Sequence, residues 1–455
     1  MGLMQQLNNI TSKPAAIPET IPKEYDLNEA SSVIQELIAN ENNEEWITAF
    51  QEGVSGNERK AQYCRSIIRD LLEREKITVK GYSSSDEAAK AIYRHQYGLG
   101  ELEEFRYDNT VDEIRVAPNG RVFLTRRGKL QSTDIFLTPT QVRSYIERLK
   151  PFDDVGASLD HSNPTLELVR EDGSRLTAVG PPILRKTPGF ALRKHGNIDI
   201  SPQSLMALQT FDERVWNIMS LLTRGRLNQL ICGGVNSGKT TLMKLLVGQL
   251  PEYLSIRVLD IDNELRISEL YPDREIWELE AHSEVNVDLR KLFATILRLT
   301  PDVIIVPEFR GIGEVDVTIE ACTRGHNGSM ATSHFHSYSG VEDIIRNIAM
   351  LAVKEGLNIP IELLMEKVAS AFNIIIQTHA DSKTGIKKVT SISEVYLEGR
   401  KIMENPLVKW TPYDKSVWEK GEWKILNKPS PHSTEIMNLF GVSDQEIERA
   451  FQGVV

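Results

Sequence analysis

Residues 233–240 read Gly-Gly-Val-Asn-Ser-Gly-Lys-Thr, an order of glycines, lysine and threonine that can hold phosphate groups. Glycine at 233 and 238 lets the backbone turn tightly and direct its N–H groups toward phosphate oxygens, and a helix that follows adds its positive end. Lys239 is expected to neutralise the β- and γ-phosphates, and Thr240 to ligate Mg²⁺. The pattern therefore predicts a site for a nucleoside triphosphate.

The flanking residues supply the strand and the helix that such a loop requires. Residues 230–232 form an apolar run typical of a buried strand, and residues 241–246 continue as an apolar helix. We expect the following residues to contact the phosphates: Gly233, Gly234, Val235, Asn236, Ser237, Gly238, Lys239, Thr240 and Thr241.

Two further apolar runs end in carboxylates, which a phosphate-hydrolysing site needs to hold Mg²⁺ and to polarise the attacking water. The run at 303–307 ends in Glu308, whose carboxylate could hold the metal through a water molecule. The run at 259–264 carries Asp262 and Glu264, either of which could orient or deprotonate the water. A solvated strand end is the alternative interpretation of this second run.

Three histidines lie close together, at positions 326, 334 and 336. His334 and His336 are two residues apart and would point to one side of a strand, a geometry that could bind zinc. No third ligand with a suitable spacing is evident, so we interpret His334 as a residue that senses a phosphate or a carboxylate. A structural hydrogen-bonding role is the alternative.

The charge, the cysteine content and the lack of long apolar stretches indicate which classes of protein the sequence does not fit. The 53 Lys and Arg residues against 64 Asp and Glu give a net charge of −11, so no direct nucleic-acid binding is expected. The cysteines, at 64, 232 and 322, are far apart, which favours reduced thiols in the cytoplasm. No apolar stretch approaches the roughly 18 residues of a membrane span. We therefore expect a cytoplasmic protein that reaches a membrane only through a partner.

The elements that must position these residues fall into four segments of an α/β protein. Residues 1–90 predict a flexible lead and a helical extension, and residues 91–200, with short strands and turn signals, an α+β domain. In residues 201–400 strands alternate with helices, which predicts a parallel-rich twisted sheet covered by helices. Residues 401–455 predict a C-terminal appendage whose tryptophans serve either partner docking or a core.

With these motifs in this order, the chain resembles the type II/type IV secretion ATPase superfamily, and most closely the CpaF-like ATPases of tight-adherence pilus assembly. The resemblance covers about residues 95–400. Residues 299–311 resemble the family's Walker B motif and residues 325–334 its His box, beside the Walker A loop described above. Further motifs resemble the family's N-terminal domain, at residues 97–100, 111–114, 172–178, 181–182 and 191–194.

The resemblance implies a RecA-like P-loop motor domain, preceded by an α+β N-terminal domain, that hydrolyses ATP with Mg²⁺. It implies a homohexamer in which each N-terminal domain rides on the next motor domain, with nucleotide held between domains. Such a ring powers pilus assembly or protein secretion through an inner-membrane platform protein. In such families, arginines outside the loop reach the phosphates, and the candidates in this chain are Arg175, Arg193, Arg266 and Arg310.

Two positions depart from the family pattern. Pro307 stands where the family usually has glycine, which removes a backbone donor and fixes φ at the strand end. The acidic run near 262–264 is one residue short of the family's usual form. One alternative is therefore a nucleotide-gated regulatory or binding subunit with weak hydrolysis. A motor of a conjugative DNA-export apparatus is another, whereas a small-molecule kinase would leave the family-like motifs unexplained.

Overall fold

The computed structural model describes residues 23–55, 57–150, 158–170, 172–194, 200–260, 265–281, 287–309, 314–337, 340–381 and 383–453. The chain divides into two compact units, Met1–Ile198 and Asp199–Val455. Among the described residues, no helix combines the length and the apolar composition needed to cross a bilayer.

The first unit begins with a bundle of helices and a short pair of parallel strands. These are β1 (Lys23–Tyr25), α1 (Leu27–Glu41), α2 (Glu44–Ser55), α3 (Glu58–Arg74), β2 (Ile77–Val79) and α4 (Ser85–Gln96). Asp26, Asn57 and Ser84 precede α1, α3 and α4, and each accepts a hydrogen bond from a backbone N–H of the first turn. One stripe of α3 is buried, and it consists of Ala61, Cys64, Ile67, Ile68, Leu71 and Leu72.

The remainder of the first unit is a sheet of antiparallel strands with a helix packed against it. The elements are α5 (Glu103–Tyr107), β3 (Val111–Val116), β4 (Arg121–Arg126), β5 (Lys129–Phe136), α6 (Pro139–Leu149), β6 (Thr165–Val169), β7 (Arg175–Val179) and β8 (Gly189–Arg193). The described strands run in the order β5-β4-β3-β8-β7-β6. Leu176, Leu192 and Ile146 share one apolar core, so one face of the sheet is covered by α6.

The second unit is built on a larger, mixed sheet. Its strands are β9 (Gln229–Gly233), β10 (Ile256–Asp260), β11 (Ile276–Glu280), β12 (Val303–Val306), β13 (Met330–Ser333), β14 (Ile374–Ala380), β15 (Lys387–Glu398), β16 (Lys401–Pro412) and β17 (Gly421–Ile425). Among the described strands the order is β11-β10-β12-β13-β9-β14-β15-β16-β17. The strands from β11 to β14 are parallel, and β15 to β17 are added antiparallel. The predicted α/β fold with a parallel-rich sheet is thus confirmed.

Helices cover both faces of this sheet. They are α7 (Pro202–Ala207), α8 (Glu213–Arg224), α9 (Lys239–Val247), α10 (Ile267–Leu270), α11 (Leu289–Ile296), α12 (Glu314–Thr323), α13 (Val341–Lys354), α14 (Ile361–Ala371), α15 (Pro431–Leu439) and α16 (Asp444–Ala450). Strand β9 contributes to two separate cores, because Ile231 lies in one and Leu230 and Cys232 lie in the other. Burial on both faces explains why the strand reads as a continuous apolar run.

The last third of the sheet comes from the end of the chain. Trp410 and Trp423 are buried in the same core as Ile231 of the central strand, and Trp418 packs against that core. Lys388 of β15 is 1% exposed, with its ammonium 4.1 Å from the centre of the Trp410 ring and 3.0 Å from the Gln209 carbonyl oxygen. These tryptophans therefore serve a core.

Candidate nucleotide-binding site

The glycine-rich loop joins the end of β9 to the start of α9, as the sequence predicts. Gly238 has φ +91°, and Asn236 has φ +60°, so the loop uses left-handed backbone at two positions. Gly233 has no room for a side chain, because a Cβ there would overlap the carbonyl and hydroxyl oxygens of Thr378. The Ser237 hydroxyl lies 2.8 Å from the Thr378 hydroxyl, which ties the loop to β14. The loop is thus a backbone cradle closed by a neighbouring strand.

Lys239 is the first residue of α9, and its side chain folds back over the loop. Its ammonium donates to the carbonyl oxygens of Gly233 (3.1 Å) and Gly234 (3.0 Å), and it lies 3.1 Å from Nδ1 of His334. Lys239 is 5% exposed, so the loop holds its cation in place. Thr240 and Thr241 follow in the first turn of the same helix.

His334 connects this lysine to the acidic residue of the site. Its Nε2 contacts Oε1 of Glu308, a carboxylate that is buried. An ammonium can only donate, so Nδ1 accepts from Lys239 and the ring proton lies on Nε2, toward Glu308. Lys239, His334 and Glu308 therefore form one chain of polar contacts.

The sheet topology explains why these residues meet. Strands β12, β13 and β9 are parallel neighbours, so their carboxyl ends share one edge of the sheet. Glu308 follows β12, His334 follows β13, and the loop follows β9. In open α/β sheets, ligands bind at this edge.

Pro307 is accommodated at the end of β12 by contacts with β13. Its carbonyl oxygen accepts a hydrogen bond from the Thr332 hydroxyl, and the N–H of Phe309 donates to the Thr332 carbonyl oxygen at 3.4 Å. Glu308 therefore lies between two contacts that join the end of β12 to β13.

The structure describes only one of the four other residues predicted in the second unit. Asp262, Glu264 and Arg310 lie outside the described residues. Arg266 has φ +44°, and its guanidinium lies 3.5 Å from the carboxylate of Glu269.

The remaining arginine candidates belong to the first unit. Arg175 and Arg193 lie directly opposite each other on the antiparallel strands β7 and β8. Residues directly opposite in such a pair project to the same side of the sheet. Two positive side chains are therefore presented together.

The other two histidines of the group at 326, 334 and 336 have different surroundings. His326 Nδ1 lies 2.9 Å from the Pro301 carbonyl oxygen, and the ring of His336 lies 5.9 Å from that of His379. Burial lowers the pKa of both His326 and His336, and the neighbouring His379 lowers that of His336 further. Within the described part of the chain, no group of three His, Cys, Asp or Glu residues could hold a metal ion.

The turn that begins the His box is held by Asn228, the residue before β9. Its side-chain oxygen accepts from the N–H groups of Gly328 (2.9 Å) and Ser329 (3.1 Å). Its amide nitrogen donates to the carbonyl oxygens of Cys322 (2.7 Å) and Ala371 (3.0 Å). One side chain thus satisfies four backbone groups at the amino end of the central strands.

Sequence reasoning missed two residues beside the loop, Thr378 and Lys387. The apolar run at 374–376 ends in polar residues, which is the same signal that indicated Glu308, so Thr378 could have been found. The residues around Lys387 form no pattern that indicates a phosphate-binding site. Its ammonium donates to the side-chain oxygen of Asn236 at 3.1 Å, from a strand 151 residues further along the chain.

A glycine cradle between a parallel strand and a helix, with a buried lysine, a carboxylate and a histidine at the same sheet edge, defines a P-loop nucleotide-binding domain. Residues 183–395 match the family described as Type II/IV secretion system protein. The resemblance to the type II/IV secretion ATPase superfamily is thereby confirmed, and its CpaF-like subdivision stays a prediction.

Three curated relatives are similar over most of the chain. An uncharacterized protein of Methanocaldococcus jannaschii is 22% identical over 338 residues, which are 72% of this chain and 58% of that protein. The conjugal transfer protein TrbB of Rhizobium radiobacter is 25% identical over 280 residues, 61% of this chain and 81% of TrbB. The type IV secretion system protein VirB11 of Brucella suis is 26% identical over 353 residues, 69% of this chain and 93% of VirB11. The chain thus spans less than two thirds of the archaeal relative's length.

Proposed function

We propose that this chain is an ATP-hydrolysing motor that powers pilus assembly or protein secretion across the cell envelope. The observation that carries the proposal is the chain of contacts from Lys239 through His334 to Glu308 above the glycine loop. It joins the cation that binds phosphate to the carboxylate expected beside the metal. The family match over residues 183–395 supports the same proposal.

Within this proposal, the loop residues 233–241 bind the phosphates of ATP, and Lys239 neutralises the β- and γ-phosphates. Thr240 and Glu308 would hold Mg²⁺, Glu308 through a water molecule, and the metal would neutralise charge on the transferred phosphoryl group. The residues present fit this role, because the threonine, the carboxylate and the loop share one sheet edge. Asp262 or Glu264 would activate the attacking water, and Arg310 and His334 would act beside the phosphates.

The larger assembly is part of the same proposal. Six copies would form a ring, with Arg175 and Arg193 of the N-terminal domain supplying positive charge to the nucleotide. The ring would be cytoplasmic and would act on an inner-membrane platform protein, as in the CpaF-like ATPases. The placement of both arginines on one side of a sheet pair supports the idea that they act together.

The test is phosphate release by the purified full chain beside two variants, Lys239→Ala and Glu308→Gln. We expect release to fall at least about a hundredfold in both, since each removes charge at the phosphoryl group. Lys409→Ala, which removes an exposed lysine on β16, is the matched control. Equal rates in all four proteins would overturn the proposal, and light scattering with and without nucleotide would test the ring.

A second candidate within the same class follows from the relative named as a conjugal transfer protein. A motor of this architecture need not touch its cargo, so it could equally serve an apparatus that exports DNA. Prepilin or relaxase genes beside the coding sequence would distinguish the two cargoes.

A regulatory or binding subunit is the candidate from a different class. The observation that favours it is Pro307, which directly precedes Glu308 and has no backbone N–H to donate there. This candidate requires tight ATP binding without steady-state phosphate release, even with the membrane partner present.

A further inference from the structure

Lys387 reaches the glycine loop from outside the P-loop motif. It is the first residue of β15, and its ammonium donates to the Asn236 side-chain oxygen at 3.1 Å. Its aliphatic stem passes beside the start of α9, because a Cβ at Gly238 would lie 3.6 Å from Cδ of Lys387. The loop is thus contacted by two ammonium groups, that of Lys239 at the carbonyl oxygens of residues 233–234 and that of Lys387 at residue 236.

The position of Lys387 is fixed by its neighbours on the strand. Successive residues of a strand point to opposite faces, and Lys388 points away from the loop into the ring pair of Trp410 and Trp423. The preceding turn is closed by Asp381, whose carboxylate accepts from the Lys383 N–H at 3.0 Å and from the Thr384 hydroxyl. The ammonium of Lys387 is therefore directed at the loop by the fold and not by chance rotation of a surface side chain.

A bound anion would offer the ammonium of Lys387 a stronger acceptor than the side-chain oxygen of Asn236 does. A neutral amide oxygen accepts a hydrogen bond from an ammonium less strongly than an anionic oxygen does, since charge-assisted bonds are about twice as strong. The start of α9 and the loop N–H groups favour an anion beside Gly238, where the stem of Lys387 lies.

We propose that Lys387 is a second cation of the nucleotide site, whose ammonium binds a phosphate oxygen of the bound nucleoside triphosphate. This inference rests on the proposed function, because it assigns a further binding residue to the same site. Lys387 would supply affinity from the β14–β15 side of the loop, whereas Lys239 acts from within the loop.

The test is equilibrium binding of ATP, ADP and AMP to the full chain, by calorimetry, for the wild type and four single variants. Lys387→Met keeps the stem and removes the charge, and Lys387→Arg keeps the charge. Lys383→Met removes an exposed charge from the same turn and is the matched control. Asn236→Ala removes the amide oxygen that Lys387 contacts, and it is also combined with Lys387→Met.

We expect Lys387→Met to weaken ATP binding about tenfold and AMP binding less, because a hydrogen bond to a charged group is lost with the polyphosphate. The ATP affinity of Lys387→Arg should stay within about threefold of that of the wild type, and the affinity of Lys383→Met should equal that of the wild type. The loss of affinity in Lys387→Met should be smaller at high salt. Unfolding without nucleotide identifies any variant that has lost its fold.

Three outcomes would overturn the inference. They are unchanged ATP affinity in folded Lys387→Met, an equal loss in Lys383→Met, and no further loss when Lys387→Met is added to Asn236→Ala. The last would mean that Lys387 acts only by holding the loop. Failure of the proposed function is distinguishable, because then the wild type itself would bind no ATP, or would bind it and release no phosphate.

Discussion

The ammonium of Lys239 lies 3.1 Å from Nδ1 of His334, and the opposite nitrogen of that ring contacts Glu308. A neutral imidazole with its proton on Nε2 satisfies both partners at once. His334 therefore fixes the orientation of a cation and of a carboxylate that come from different strands.

Replacement of His334 by alanine should lower the rate of phosphate release more than it lowers ATP affinity. Without the ring, Glu308 and Lys239 lose their common partner, and misplaced charge costs about tenfold to a hundredfold in kcat. Single-turnover hydrolysis and ATP binding would be measured separately. His432→Ala, at an exposed position on α15, is the control, and a purely structural His334 would instead lower the unfolding temperature with kcat unchanged.

Alanine at Gly233 should destabilise the second unit, whereas alanine at Gly234 should not. A methyl group at 233 would overlap oxygens of Thr378, while a methyl group at 234 meets no atom within 4 Å. Overpacking of this kind costs about 1–3 kcal/mol, and the open position should change stability by less than about 0.5 kcal/mol. Urea unfolding of the two variants provides the comparison, and equal stabilities would contradict the described packing.

Stability should fall as the pH is lowered below about 6.5, the pKa of an unfolded histidine. Burial lowers the pKa of His336 in the folded chain, and so does the neighbouring His379. The unfolded state then binds more protons in the window just below 6.5, so the stability present above that pH is progressively lost. Unfolding free energies at pH 7.5 and 5.5 should differ less in His336→Gln than in the wild type. An unchanged difference would show that other groups carry the dependence.

Neutralising Arg175 or Arg193 should reduce phosphate release without unfolding the first unit. Arg175 and Arg193 are directly opposite each other on β7 and β8, where like charges repel, and Glu113 is directly opposite Arg193 on β3, where unlike charges attract. Because these two effects oppose each other, the unfolding temperature of Arg193→Gln should stay close to that of the wild type, while release falls at least about tenfold. Arg143→Gln, at an exposed position on α6, is the control. Unchanged release in both variants would remove these arginines from the proposed site.

Deleting residues 401–455 should abolish cooperative folding of the second unit. The deletion removes Trp410 and Trp423 and exposes the core that they share with Ile231 of the central strand. Burial of each large aromatic side chain contributes about 2–3 kcal/mol, so the two tryptophans account for much of the roughly 5–15 kcal/mol by which a typical domain is stable. The deletion also removes the backbone hydrogen bonds between β15 and β16. A soluble product with a cooperative unfolding transition would instead support a separable appendage.

Local patterns predicted the part of the site that lies within single segments. The loop at 233–240 needs its own glycines and its own helix, so the motif carries its conformation. The apolar run before Glu308 could be assigned to a strand end. His334 was expected within a strand, whereas it follows the end of β13, and the parallel order of β12, β13 and β9 brings these residues to one edge.

The contacts that could not be predicted from the sequence join the loop to strands that are distant along the chain. The register of β14 and β15, which shifts at Gln377, decides whether Thr378 lies beside Gly233. It also decides whether Lys387 or Lys388 faces the loop. A shift of one residue reverses the faces of a strand, and the amino-acid pattern of two adjacent lysines is the same in either register.

The side-chain amide of Asn228 makes four hydrogen bonds to the backbone, so its chemical integrity matters for the stability of the second unit. Hydrolysis of that amide would place a carboxylate oxygen against the carbonyl oxygens of Cys322 and Ala371, where an N–H₂ group now donates. Because Asn228 is 6% exposed, water reaches it only when the strand ends open. Hydrolysis of the Asn228 amide is therefore expected to follow the rate of local unfolding and not the reactivity of a free asparagine.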